Sequence, residues 1–252
     1  MMQFNQLHKQ NEPLLLANVW DSASAKLAEK LKFKAIGTSS AAIAAILGFE
    51  DGEKMSFTDL LFMVKRIACA TKLPLSVDIE AGYSRDPYQI LHHLNKLLEF
   101  GTQGINLEDS IVNNKRSLQN ARDFAQTIML ISNALKKEKK ELFINIRTDT
   151  FLLDIDHPLE ETIERGNLYK AAGANGLFVP GIGSEDQIAK LIEQCSLPLN
   201  VMCMPTLPDF QTLSGLGVKR ISMGNFIFNE YQKHEEAVLR NILMQRSFKS
   251  LF

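Results

Sequence analysis

Eight short β-like runs, each followed by a stretch of helical periodicity, succeed one another along the chain, and this rhythm constrains the fold more than any other feature. The runs cover 14–20, 35–40, 73–82, 104–110, 142–150, 176–181, 197–203 and 220–224. The helical segments fall at 22–31, 56–71, 87–100, 117–137, 159–172, 184–194, 208–216 and 226–246. Gly101, Gly173 and Gly217 stand between a helical segment and the next run, where a helix C-terminus favours glycine. Strands alternating with helices make parallel sheets, and eight such units in 252 residues predict one closed (β/α)8 barrel domain spanning 1–252. An open doubly wound sheet is the competitor. Its Gly-x-Gly-x-x-Gly fingerprint is missing after the first run, where Asn18-Val19-Trp20-Asp21-Ser22 stands instead.

Composition narrows the function. A hydrophobic content of 45% can bury a full core, and a net charge of -1 offers no electrostatic footprint for nucleic acid or an anionic membrane. Cys69, Cys195 and Cys203 are widely spaced in apolar settings and read as reduced packing residues. Met1 to Pro13 is polar, without a signal-peptide core, and no apolar run is long enough to span a bilayer. A cytoplasmic location is expected.

The run Leu75-Ser76-Val77-Asp78-Ile79-Glu80-Ala81-Gly82-Tyr83 alternates, with Val77 and Ile79 on one face and Ser76, Asp78 and Glu80 on the other. Carboxylates are seldom buried unless paired or bound to a metal. The next run repeats the design with Asn106 and Glu108, and parity also turns Asn18, Trp20, Ser39, Asn145, Arg147 and Asn200 inward. All lie near the C-terminal ends of their runs, where barrel enzymes carry their chemistry. Packing explains this poorly, since each unpaired member would cost about 1–3 kcal/mol. The acids suit a hard cation, Mg²⁺ or Mn²⁺, and Arg147 suits a carboxylate substrate. A solvated cluster of acids paired with Arg or Lys is the alternative. The five histidines fall in helices or loops, which argues against a His-type zinc site.

At these positions the chain resembles the isocitrate lyase/phosphoenolpyruvate mutase superfamily. The resemblance rests on Asn18-Val19-Trp20-Asp21, Gly37-Thr38-Ser39-Ser40-Ala41, Leu47-Gly48-Phe49-Glu50-Asp51-Gly52-Glu53, Val77-Asp78-Ile79-Glu80-Ala81-Gly82-Tyr83, Asn106-Leu107-Glu108-Asp109 and Asn145-Ile146-Arg147-Thr148-Asp149, in that order. It implies a Mg²⁺-dependent barrel for 2-oxo-acid or enolpyruvate-like ligands. Asp78 would hold the metal, with Glu80, Glu108 and Asp51 binding it directly or through water. Backbone N–H groups of Thr38, Ser39 and Ser40 would cradle a carboxylate that Arg147 faces. Ser39 and Arg147 are the expected catalytic pair, and Trp20 and Asn200 are expected at the substrate. The family also implies a homo-oligomer, dimer or tetramer, with exchanged C-terminal helices.

The chain departs from that family in the loop that decides the reaction. C–C lyases of the family carry Lys-Lys/Arg-Cys-Gly-His after the Glu-Asp pair, whereas Lys115 and Arg116 are followed here by Ser117 and neither Gly nor His. A serine is a far weaker acid than a thiol, so isocitrate-type cleavage is not expected. The expected function is a lyase-like enzyme that makes or breaks a C–C bond in a small 2-oxo or 2-hydroxy carboxylate through an enolate-like intermediate. A phosphonopyruvate-type mutase or hydrolase, and a ligand-binding barrel without turnover, are the alternatives.

Overall fold

The computed structural model describes residues 4–252. A short helix α1 (Phe4–Leu7) precedes a split first strand, β1 (Leu14–Leu15) and β2 (Ala17–Val19). Then come α2 (Ser22–Lys30), β3 (Ile36–Thr38), α3 (Ser40–Leu47), α4 (Phe57–Ala68), β4 (Leu75–Asp78), α5 (Pro87–Leu98) and β5 (Thr102–Glu108). A hairpin of β6 (Ser110–Val112) and β7 (Arg116–Leu118) leads into α6 (Ala121–Lys137) and β8 (Phe143–Arg147). The chain continues through α7 (Pro158–Ala172), β9 (Gly176–Phe178), α8 (Glu185–Gln194), β10 (Leu199–Met202), α9 (Phe210–Leu216), β11 (Arg220–Ser222) and α10 (Phe226–Gln245).

The main sheet runs β1-β11-β10-β9-β8-β5-β4-β3-β2, and its pairs are parallel. Because β1 and β2 are halves of one run, the order closes: the first half pairs with β11 and the second with β3. Leu16, between them, donates its N–H to Ile221 O at 2.9 Å. The result is the expected (β/α)8 barrel.

Alternation divides the core in two. Val77, Ile79, Ile105, Leu107, Ile144, Ile146, Val201 and Ile221 face the helices and join one large cluster. A second cluster, Phe4, Leu7, Leu14, Leu16, Ala35 and Phe143, fills the bottom of the barrel. A Cβ at Gly104 would stand 2.5 Å from the Phe4 ring, so this interior glycine makes room for α1. His8 stacks on Phe143 with ring centroids 4.0 Å apart and completes the stopper.

Three local features differ from the expectations. The N-terminal segment, polar by composition, buries Phe4, Leu7 and His8 under the barrel. The helix expected from 117 begins instead at Ala121, capped by Asn120, whose Oδ1 accepts from the N–H groups of Arg122 and Asp123; Ser117 belongs to the hairpin. Helix α3 was not anticipated, because Ser-Ala-Ala-Ile-Ala-Ala-Ile-Leu has no polar stripe and so shows no amphipathic period. Ser39 starts it and the left-handed Gly48 ends it. Among the described residues no helix is long and apolar enough to cross a membrane.

Candidate active site

The C-terminal strand ends open on a pocket of about 200 Å³ that Thr38, Ser39, Ser40, Ala41, Asp51, Asp78, Asn106 and Arg147 line on its polar side. Leu152, Phe178 and Met202 form its apolar wall. A wider groove of about 450 Å³ beside Phe210 lies away from these strand ends. Chemistry therefore concentrates at the mouth.

Asp78 ends β4 and is held from three sides. Its N–H donates to Thr38 Oγ1 at 2.8 Å, Ser40 Oγ donates to its Oδ2 at 2.9 Å, and the Glu80 N–H reaches its Oδ1 at 3.3 Å. The alternation expected to carry Glu80 on the same strand face stops here. Glu80 takes φ 48° and Tyr83 φ 56°, left-handed conformations that side chains other than glycine adopt at a cost of about 1–3 kcal/mol each. The strained turn is pinned where Glu80 O accepts from Glu108 N–H at 2.8 Å. The Glu80 carboxylate then accepts from the Tyr83 hydroxyl at 2.9 Å and from the Glu53 N–H. Tyr83 thus serves Glu80.

Glu108 ends β5, opposite Arg147 at the end of β8. Arg147 donates through Nε and Nη2 to Asp149 at 2.6 and 3.0 Å. Its Nη1 lies 2.9 Å from Glu108 Oε2, off the hydrogen-bonding direction, so that oxygen has no hydrogen-bond donor. The hairpin adds Arg116, which pairs with Glu108, with Asp149 at 3.0 Å and with Asp51 at 3.4 Å. Ser117, next to it, is exposed on the other face of the hairpin. Below the mouth, Asn145 Nδ2 donates to Asn106 Oδ1 at 2.9 Å and to Asn200 Oδ1 at 3.1 Å, forming an amide floor.

Burial lifts the Asp78 carboxyl above its ordinary range against the pull of Arg147 and Ser40, and Asp51 adds to the rise. Burial, then repulsion from Asp51 and Asp78, pushes Glu80 up to about 8. Burial also raises Glu108, although Arg147 and Arg116 oppose it. Burial acts to raise Asp149 too, but there the combined pull of Arg147, Ser110 and Arg116 wins and holds it low. Asp78, Glu80, Glu108 and Asp51 form a mutually repelling set, the electrostatic signature of a place that favours added positive charge.

The structure gathers Thr38, Ser39, Ser40, Asp51, Asp78 and Arg147 around one pocket. Glu80 and Glu108 are buried just behind it, and Asn200 lies in the amide floor. Trp20 packs edge-on against Phe228, with centroids 5.2 Å apart, and seats α10 on the barrel. The Ser39 N–H is donated to Val19 O at 3.0 Å, and its hydroxyl accepts from the Ala42 N–H at 3.4 Å, so Ser39 serves the sheet and the cap. The amides free to meet a ligand are those of Ser40 and Ala41, in the first turn of α3, where no carbonyl lies one turn back. Ala41 was missed because nothing marked α3 in the sequence. Leu152, Phe178 and Met202 were missed because apolar strand-end residues give no chemical signal.

Among the described residues no three acids or imidazoles come close enough together to chelate one ion directly. The donor set fits a divalent cation at Asp78, the one acid of the three strand-end acids that lines the pocket, with its neighbours acting through water.

A parallel barrel with acids and an arginine gathered at its C-terminal mouth is the architecture of a barrel enzyme. The family model for phosphoenolpyruvate phosphomutase matches residues 4–243, and the chain belongs to that family. An uncharacterised protein of Mycobacterium tuberculosis is 35% identical over 89% of this chain and 82% of its own length. An oxaloacetate decarboxylase of Rhodopseudomonas palustris is 28% identical over 83% of this chain and 73% of that one. A solved Burkholderia cenocepacia protein, provisionally described as a phosphonomutase, superposes with a TM-score of 0.89 at 36% identity, covering 94% of this chain and 97% of that one.

Proposed function

We propose that the protein is a Mg²⁺-dependent carbon–carbon lyase that decarboxylates a small 2-oxo dicarboxylate of the oxaloacetate type. The observation that carries this reading is the make-up of the pocket. Arg147, Asp78 and the first turn of α3 converge on about 200 Å³, and none of the lining residues is a His, Cys or Lys.

Decarboxylation of a 2-oxo acid needs no positioned proton donor. The C3–C4 bond breaks, its electron pair moves into the C2 carbonyl to give an enolate, carbon dioxide leaves, and water then protonates C3. The demand on the protein is charge stabilisation at the C2 oxygen. Asp78 would hold a Mg²⁺ ion, with Glu80, Glu108 and Asp51 assisting through water, and the metal would supply Lewis-acid charge for the developing oxyanion. Ser40 and Thr38 fix the Asp78 carboxylate and its amide. Arg147 and the Ser40 and Ala41 amides orient the substrate C1 carboxylate. Leu152, Phe178 and Met202 hold water away from the departing carboxylate. The decarboxylases among the relatives support the same reading.

Pyruvate release from oxaloacetate, coupled to lactate dehydrogenase and corrected for the metal-catalysed background, tests it. Turnover of about one per second or faster is expected, with Asp78→Ala near background. Wild-type protein at background, with turnover of phosphonopyruvate instead, would replace this reading with the mutase one. Exposed Ile227, Tyr231, Leu239 and Leu243 on α10 support the expected homo-oligomer, which sedimentation velocity tests.

A further inference from the structure

Arg220, the first residue of β11, has no part in the chemistry above. It is 1% exposed and the largest of the fully buried side chains. Its Nη2 donates across the barrel to Asn106 Oδ1 at 3.2 Å, whereas Nε and Nη1 have no partner. Among the described residues no carboxylate lies within ion-pair distance of it. The arginines around the mouth are all compensated: Arg147 by Glu108 and Asp149, Arg116 by Glu108, Asp149 and Asp51, Arg85 by Glu53. Burial brings the Arg220 guanidinium down to about 9, against the pull of Asp78, so it stays charged at neutral pH.

A buried cation without a counter-ion is costly to a fold, and an apolar replacement of similar volume often stabilises the protein. Such a group is tolerable where negative charge arrives from elsewhere. Asn106 links this one to the pocket: its Oδ1 receives Arg220, and it also lines the cavity. The charge of Arg147 is largely cancelled by its two carboxylates. Arg220 is left as the uncompensated positive charge beneath the substrate.

We infer that Arg220 is a positioning residue that acts through Asn106 to make this pocket selective for doubly negative ligands over singly negative ones. The inference rests on the proposed function and adds the residue that reads the double charge of its dicarboxylate substrate. In a dry interior the attraction scales with ligand charge and amounts to roughly tenfold in affinity per negative charge.

Calorimetric titration with oxalate (two charges) and its near-isostere oxamate (one charge), at a fixed Mg²⁺ concentration, decides the matter. Arg220→Met should weaken oxalate about a hundredfold and oxamate about tenfold, so the preference for oxalate falls about tenfold. Arg220→Lys should retain most of that preference. A merely structural arginine would weaken both ligands by the same factor, and an unchanged ratio overturns the inference while leaving the proposed function standing. Wild-type protein that binds neither ligand overturns both. The ligand-free Met variant should melt no lower than the wild type. A fall of more than about 5 °C would make Arg220 a strut and likewise overturn the inference.

Discussion

Replacing Glu80 by glutamine separates the charge of the buried acids from their shape. Glutamine can keep both contacts of Glu80, its amide oxygen taking the Glu53 N–H and its NH2 donating to the Tyr83 oxygen. The Glu80 pKa rises from 4.5 unfolded to about 8 folded, so the folded protein holds a proton that the unfolded chain has released. Stability is therefore full below about pH 4.5 and declines as pH rises toward 8. At 1.36 kcal/mol per pH unit, the span between those values sets a ceiling of about 5 kcal/mol. Glu80→Gln removes the titration. Urea unfolding should find the two proteins alike at pH 5, with the variant more stable by about 2–5 kcal/mol at pH 8.5. Added Mg²⁺ should stabilise the wild type more than the variant at the higher pH. A stability difference independent of pH would refute the view that burial, reinforced by its acidic neighbours, holds Glu80 protonated.

Calorimetry should show Mg²⁺ binding to the wild type and none to Asp78→Ala; equal binding in both would remove the metal from Asp78. Arg147→Lys should weaken oxalate by roughly tenfold, since a point charge replaces a fork already engaged with Asp149. Asp109→Ala should cost about 3–5 kcal/mol by urea unfolding, because it strips the buried Thr148, Tyr169 and Arg165 donors of a common acceptor; a loss under about 1 kcal/mol would deny that cluster a structural role. Cleavage of isocitrate and 2-methylisocitrate should stay far below one per second for the wild type and also for Ser117→Cys, as Ser117 is exposed on the far face of the hairpin; rescue by cysteine would show that the hairpin turns over.

The barrel was legible because its strands are short apolar runs bounded by glycines and separated by amphipathic helices. The same alternation correctly placed Asn106 with Glu108 and Asn145 with Arg147, since β5 and β8 stay regular to their ends. It failed two residues past β4, where the left-handed Glu80 depends on contacts to β5 and Glu53 that local sequence does not encode. Arg220 was invisible for another reason. As the first residue of a short strand it looked like any solvated end, and only barrel closure turns it inward. The Arg116 ion pairs required a hairpin whose three-residue strands give no periodic signal.

That hairpin has a consequence for how the chemistry of such a barrel could drift. Its register pairs Ile111 with Ser117 and Val112 with Arg116, so adjacent residues of β7 address opposite worlds, one toward the acids and one toward solvent. Deletion of a single residue among Asn113, Asn114 and Lys115 would shift that register by one, bringing Ser117 to the place of Arg116. A hydroxyl would then face Glu108 and Asp149 in place of a guanidinium, with no residue in the mouth substituted. Loop length alone can thus change the charge of the reaction chamber.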